Sequence, residues 1–174
     1  FVLFIVLLLT ISSSNRHFQE AMPLAGDEPS YLAISDSLAN FKTFNLKKEI
    51  ETIHWQTFCQ QACPPHTISV SADKIFPKHG LGWPLILAPL FYFNSNPRLL
   101  AMLMQNIIVV ILALNIFLWL RENKFSFWLS LFVSLAIIFS LPMAIQTYML
   151  FNEPLAALCM LYAVRKREKQ NIFS

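Results

Sequence analysis

The sequence predicts an all-α polytopic membrane protein, and three observations carry that expectation. Of the 174 residues, 56% are hydrophobic and only 13% are charged, about half the ~25% charged fraction of an ordinary soluble domain. The charges are partitioned along the chain: residues 13–98 hold 14 of the 23 charged side chains, whereas 99–120 and 125–152 hold none. These uncharged stretches match a membrane in length, since a ~30 Å hydrocarbon core takes about 20 helical residues at ~1.5 Å each. The same composition excludes other classes. Abundant Leu, Ile, Val and Phe argue against disorder, and three glycines with three cysteines argue against collagen-like or disulfide-dense chains. A net charge of +3 with no basic stripe offers nucleic acid no binding face.

Residues 1–12 (FVLFIVLLLTIS) are an apolar run of roughly 18 Å as helix, too short to cross. The run lacks the basic leader region and small-residue cleavage pattern of a secretory signal. It reads as a truncated transmembrane helix 1 of a longer polytopic protein. Residues 13–98 then form an 86-residue loop, a length at which loops are folded or functional. Within it, 30–41 has a helical pattern with Tyr31, Ile34, Leu38 and Phe41 on one face. The run 81–93 (LGWPLILAPLFYF) is interrupted by Pro84 and Pro89 and reads as an interfacial or re-entrant juxtamembrane helix. Its Trp83, Phe91 and Tyr92 suit the headgroup layer.

Three further transmembrane helices are expected at 99–120, 125–145 and 148–165, followed by a basic tail at 166–174. Orientation follows from the Lys and Arg residues beside them. Arg121 and Lys124 lie in a four-residue loop, and Arg165, Lys166, Arg167 and Lys169 follow the last apolar run. Both regions are therefore expected in the cytoplasm, which makes the whole 13–98 loop extracytoplasmic in a multi-pass protein of the inner (plasma) membrane.

Candidate chemistry concentrates in that loop. Asp27 and Glu28 open the helical pattern, where backbone N–H groups and the helix dipole favour anions. Helix capping and a role facing a lipid-linked substrate both fit them. Lys78 and His79 precede the juxtamembrane helix and suit either solvated interface cations or phosphate contacts. All three glycines fall beside Asp27 or in this second cluster, which predicts tight turns or close approach to a ligand there. Arg98 stands at the mouth of the next span as an anchor or a phosphate contact. Cys59 and Cys63 are disulfide candidates in an oxidising compartment. With His54 and His66 they also form H-x4-C-x3-C-x2-H, whose spacing departs from the usual zinc patterns. Cys159 reads as a packing residue. Glu153, an acid beside an apolar run, suits either a functional role or the first turn of a helix that continues with Pro154.

Taken in order, GDEPSYLAISDSLA (26–39), KHGLGWPLILAPLFYF (78–93), a span ending in Arg121, and NEPLAALCMLYAVRK (152–166) resemble the N-terminal part of bacterial GT-C-type membrane glycosyltransferases. These are relatives of the protein O-mannosyltransferases and of the transferase that puts aminoarabinose on lipid A. The resemblance covers nearly all of the chain, and its most specific element is the Asp-Glu pair. It implies a GT-C-like fold and a polyprenyl-phosphate sugar donor, with a lipid, glycan or protein as acceptor. It makes Asp27 the base acting on the acceptor, with Glu28 as its neighbour and a metal or substrate contact, so a divalent metal ion is the cofactor it allows. The mechanism expected from the residue types puts Lys78, His79 or Arg98 near the donor phosphate, with Tyr31 and Glu153 as further candidate substrate contacts. Glu153 resembles the acid at the outer end of a later span, whose role stays open. The family often carries His-Pro-Pro where this chain has Lys78-His79-Gly80. A piece of this length would hold only part of the substrate pocket and is expected to be inactive alone.

The competing expectation is a non-enzymatic polytopic protein, a transporter or a partner-binding subunit, in which Asn106, Asn115 and Gln146 would matter and Asp27 and Glu28 would be replaceable. A small sensor with one folded external loop is a third reading.

Overall fold

The structure is a computed structural model that describes residues 24, 26–52, 66–93 and 97–172. The expected helix 1 at 1–12, His54 and the Cys59–Cys63 pair lie outside the described residues. Among the described residues the fold is mostly helical with one long apolar helix. The described residues divide into two compact units. One runs to Met102 and includes Met149–Phe151, and the other comprises Leu103–Tyr148 and the chain from Asn152 onward.

The first unit is built around helix α1, Glu28–Asp36, which continues as a π-helical turn, Ser37–Phe41. Pro29 sits in its first turn, where a missing N–H costs nothing, and Glu28 meets the positive end of the dipole. Lys42 ends the helix in the left-handed region at φ 56° and donates from Nζ to the Ala39 carbonyl at 2.7 Å. All nine residues of α1 are buried, its polar side chains included. Such groups need partners, and the local bonds supply several. Ser35 Oγ donates to the carbonyls of Tyr31 (2.7 Å) and Pro84 (3.2 Å), tying α1 to the juxtamembrane segment.

After the short helix α2, Lys47–Glu51, the expectation of an all-α fold is corrected. Strands β1, Thr67–Ser71, and β2, Lys74–Pro77, pair antiparallel, with Thr67 opposite Pro77 and an irregularity between Ser69 and Ser71. Thr67, Ile68 and Val70 favour the extended backbone, and Ala72-Asp73 supplies the turn. Asn45 pins the hairpin to the preceding loop: its Oδ1 accepts from Ile75 N–H at 3.0 Å and its Nδ2 donates to the Asp73 carbonyl at 2.8 Å. Lys47 pairs with Asp73 nearby, and that hydrogen bond holds the Asp73 carboxyl below its usual range.

The juxtamembrane run forms helix α3, Gly82–Leu87, extended by a 3-10 turn, Ala88–Tyr92. The change of pitch falls at Pro89, which lacks the N–H that an α-helix would use. Trp83 and Leu87 are buried on the side that packs against α1, whereas Leu85, Ile86, Tyr92 and Phe93 are exposed. Tyr92 returns its hydroxyl to the Ala39 carbonyl at 2.7 Å, and Lys42 Nζ lies 4.4 Å from the centre of its ring.

Helix α4, Pro97–Glu122, has 26 residues and is the one helix among those described that is long and apolar enough to cross a membrane. It extends the expected 99–120 span by two residues at each end. The expected single helix at 125–145 is instead two, α5, Phe127–Ile138, and α6, Leu141–Tyr148. Pro142 explains the break, because a helix continuing through it would lose an i→i−4 bond and drive the ring into the Ile138 carbonyl. Phe139 N–H closes on the Leu135 carbonyl at 2.9 Å and Ser140 N–H on Ile137 at 3.2 Å, and Pro142 then falls in the first turn of α6. The last helix, α7, Glu153–Ile172, starts later than the expected 148. In this second unit Val109, Ala113 and Ile138 form a buried core flanked by Val110, Leu114, Phe117, Leu135 and Met143. Phe127, Trp128, Leu129, Phe132, Phe139 and Leu141 are exposed.

Candidate functional site

The site lies in the first unit, where three separate segments meet at the start of α1. Asp27 occupies the N-cap position, and its carbonyl accepts the first helical bond from Tyr31 N–H at 3.0 Å. Its side chain makes no capping hydrogen bond, although an Asp here ordinarily accepts one from the first turn. The carboxylate faces two imidazoles instead. His79 Nδ1 is 3.5 Å from Asp27 Oδ2, and His66 Nδ1 is 3.9 Å from Asp27 Oδ1.

The hairpin brings the two histidines together. His66 immediately precedes β1 and His79 follows β2 by two residues, and the Lys78 N–H donates to the His66 carbonyl at 3.0 Å, adding one rung to the ladder. The imidazoles stack with centroids 5.2 Å apart, and His66 Nδ1 lies 3.0 Å from His79 Nε2. Two contacts fix them on α1. His66 N–H donates to Ser30 Oγ at 2.9 Å, and the His79 ring meets the Tyr31 ring edge-on at 5.7 Å. Asp27 and His66 are open to solvent, with side chains 38% and 59% exposed, while His79 is 17% exposed.

Glu28 is turned the other way. Its side chain is 1% exposed, and both carboxylate oxygens accept from Arg98, Nε at 2.9 Å and Nη2 at 3.2 Å. The adjacent carboxylates thus have different environments. Glu28 forms a buried, bidentate ion pair, and Asp27 is solvent-accessible beside two imidazoles. Arg98, expected at a donor phosphate, spends two of its donors on Glu28. The expectation that Glu28 contacts a metal meets the same geometry, since Arg98 covers both of its oxygens.

The other expected site residues are distributed as follows. Tyr31 is buried beneath His79. Lys78 contributes its backbone to the hairpin and its side chain is exposed. Glu153 opens α7 in the second unit, followed by Pro154, in the arrangement of a helix-start acid. Cys159 is free and exposed. Of the glycines, Gly26 has φ +59° with the Phe151 ring in contact range, whereas Gly80 and Gly82 have open space around them. Of the three, Gly26 is the one whose positive φ meets the expected tight turn.

His66 is the residue whose role sequence spacing obscured. Its place in H-x4-C-x3-C-x2-H drew it toward the cysteines, but the structure puts it with His79 and Asp27. The available signal was the alternating 67–71 run followed by a turn and a second short run, which is a hairpin pattern.

A second buried acid lies deeper. Glu49 on α2 is fully buried, and among the described residues no donor reaches either oxygen. Burial, then hydrogen bonding to and repulsion from Asp36, push its carboxyl from the usual 4.5 up to about 9. The raised value favours the protonated acid at neutral pH, which spares the interior a buried charge.

No protein-family profile, curated protein or solved structure matches this chain.

Proposed function

We propose that this chain belongs to a polytopic membrane glycosyltransferase of the plasma membrane, which transfers a sugar from a polyprenyl-phosphate donor to an acceptor at the outer face. The observation that carries the reading is the Asp27 carboxylate. It stands at a helix start without capping it, is open to solvent, and is one residue from an acid that is fully engaged elsewhere. A carboxylate so held is available to accept a proton.

The chemistry is an inverting displacement. The acceptor hydroxyl oxygen forms a bond to the anomeric carbon, the bond from that carbon to the phosphate oxygen breaks, and polyprenyl phosphate leaves with the electron pair. The acceptor's proton passes to Asp27. Positive charge or N–H donors at the leaving phosphate lower the barrier, and Lys78 and His79 are the nearby candidates, while Glu28 and Arg98 act by holding the start of α1.

Membrane features support the setting. Helix α4 has the length and composition of a span, and the exposed apolar side chains of α5 suit lipid. The exposed Leu85, Ile86, Tyr92 and Phe93 of the juxtamembrane segment suit the interfacial layer beside the site. Arg165 pairs with Glu122 through Nη2 at 2.8 Å and Nε at 3.2 Å. The two basic clusters are thus neighbours, as one cytoplasmic face for both would require.

One observation favours the transporter reading: Asn106 is fully buried in α4, and among the described residues neither amide atom has a hydrogen-bond partner. A buried polar group inside a span is a functional candidate by default. The separating experiment is a transfer assay with the full-length protein in liposomes, offered labelled polyprenyl-phosphate mannose and polyprenyl-phosphate aminoarabinose. The transferase reading expects labelled acceptor from one of these donors. Protein-dependent movement of label across the bilayer without transfer contradicts it.

A further inference from the structure

We infer that Asp27, His66 and His79 form a binding site for one divalent transition-metal ion, with zinc as its natural fit. One ligand atom from each residue lies within 4.8 Å of the others. The imidazoles approach to 3.0 Å through His66 Nδ1 and His79 Nε2, and the carboxylate lies 3.5 Å from His79 Nδ1 and 3.9 Å from His66 Nδ1, so His79 can offer either ring nitrogen to an ion, one at a time. Zinc bonds of ~2.0–2.1 Å in tetrahedral geometry put donor atoms about 3.3 Å apart. With one donor from each residue already within 4.8 Å of the others, side-chain rotations that close this spread bring the three onto one ion.

The scaffold is built independently of any ion. His66 is held through its backbone, its N–H on Ser30 Oγ and its carbonyl on Lys78 N–H. The Asp27 backbone is fixed by the first helical bond of α1, and the His79 ring rests against Tyr31. Backbone anchoring holds the three residues in place while their ligating atoms contact chiefly one another. The Asp27 carboxylate, at a position where it would ordinarily cap the helix, is turned to the imidazoles instead.

Donor chemistry selects the metal. Two imidazoles and one carboxylate suit zinc and similar first-row ions, whereas calcium and magnesium prefer all-oxygen sets. Three protein ligands leave a coordination position open, and the exposed faces of His66 and Asp27 give an ion a path from solvent. The inference does not rest on the transferase reading, in which Asp27 takes a proton with the site free of metal, and metal occupancy is measured without turnover.

The test is zinc binding to the full-length protein in detergent, by competition against a chromophoric zinc indicator. One zinc per chain is expected, not displaced by a large excess of magnesium. His66→Ala, His79→Ala and Asp27→Ala are each expected to weaken binding by at least about tenfold, since even outer-shell changes cost 10–100-fold. Cys59→Ser with Cys63→Ser should bind as the wild type does. His66 is exposed, so unchanged thermal unfolding of metal-free His66→Gln separates lost ligation from lost fold. The inference is overturned by three results: no zinc bound by the wild type, undiminished binding by the His66 and His79 variants, or loss confined to the cysteine variants.

Discussion

Arg98 grips both carboxylate oxygens of Glu28, at 2.9 and 3.2 Å, and so divides the work of two adjacent acids. The pair is nearly dry, with side chains 11% and 1% exposed. Breaking one side of such a pair leaves an uncompensated buried charge, at a typical cost of about 3–5 kcal/mol. Glu28→Gln and Arg98→Gln should each lower stability by that order, measured by denaturant unfolding in detergent. The double variant should be less destabilised than the two single losses added together, because it buries no unpaired charge. Single variants as stable as the wild type would show that the pair does not hold the start of α1.

Stability should also fall as pH rises. Glu49 keeps its proton in the folded state up to about 9 and loses it in the unfolded chain near 4.5. Between those values the folded state binds the extra proton, so raising the pH favours unfolding, by at most about 1.4 kcal/mol per pH unit for one group. Below the unfolded value the penalty vanishes, and above the folded value it is complete. Glu49→Gln, which needs no proton to stay neutral, should flatten this slope. Unfolding midpoints across the range between pH ~5 and ~8 check it, and equal slopes in both proteins would refute the assignment.

Gly26 should resist substitution. It combines φ +59° with a Phe151 ring carbon 3.4 Å from where a Cβ would stand. The left-handed conformation costs an L-residue roughly 1–2 kcal/mol, and the added methyl would meet the ring at ordinary contact distance. Gly26→Ala is therefore expected to destabilise by about that amount, whereas Gly80→Ala, in open space, should be near neutral. Thermal unfolding of the two variants decides the point, and equal losses would contradict it.

Local features of this protein were legible because local physics sets them. Helix α4 follows from an uncharged 99–120 run, and α1 from an apolar stripe opened by Asp27-Glu28-Pro29. The break after Ile138 was present in the sequence as Pro142, but the apolarity of 125–145 hid it, since hydropathy averages over a proline. The juxtaposition of His66 with His79 depends on a hairpin register between residues thirteen apart, and adjacent cysteines gave His66 a competing set of neighbours. The opposite fates of Asp27 and Glu28 were not legible at all. They follow from Arg98, seventy residues from Glu28 in the chain and brought to it only by packing.

The most direct test of the central claim is the rate of sugar transfer by full-length Asp27→Asn protein in liposomes, compared with the wild type on the donor that the wild type uses. Asparagine keeps the shape of the side chain and removes its capacity to take the acceptor's proton. General-base catalysis of this kind contributes about 10²–10⁴-fold, so a rate at least about a hundredfold lower is expected, with donor binding and unfolding temperature unchanged. A wild-type rate from Asp27→Asn would remove Asp27 from the chemistry and with it the proposed mechanism.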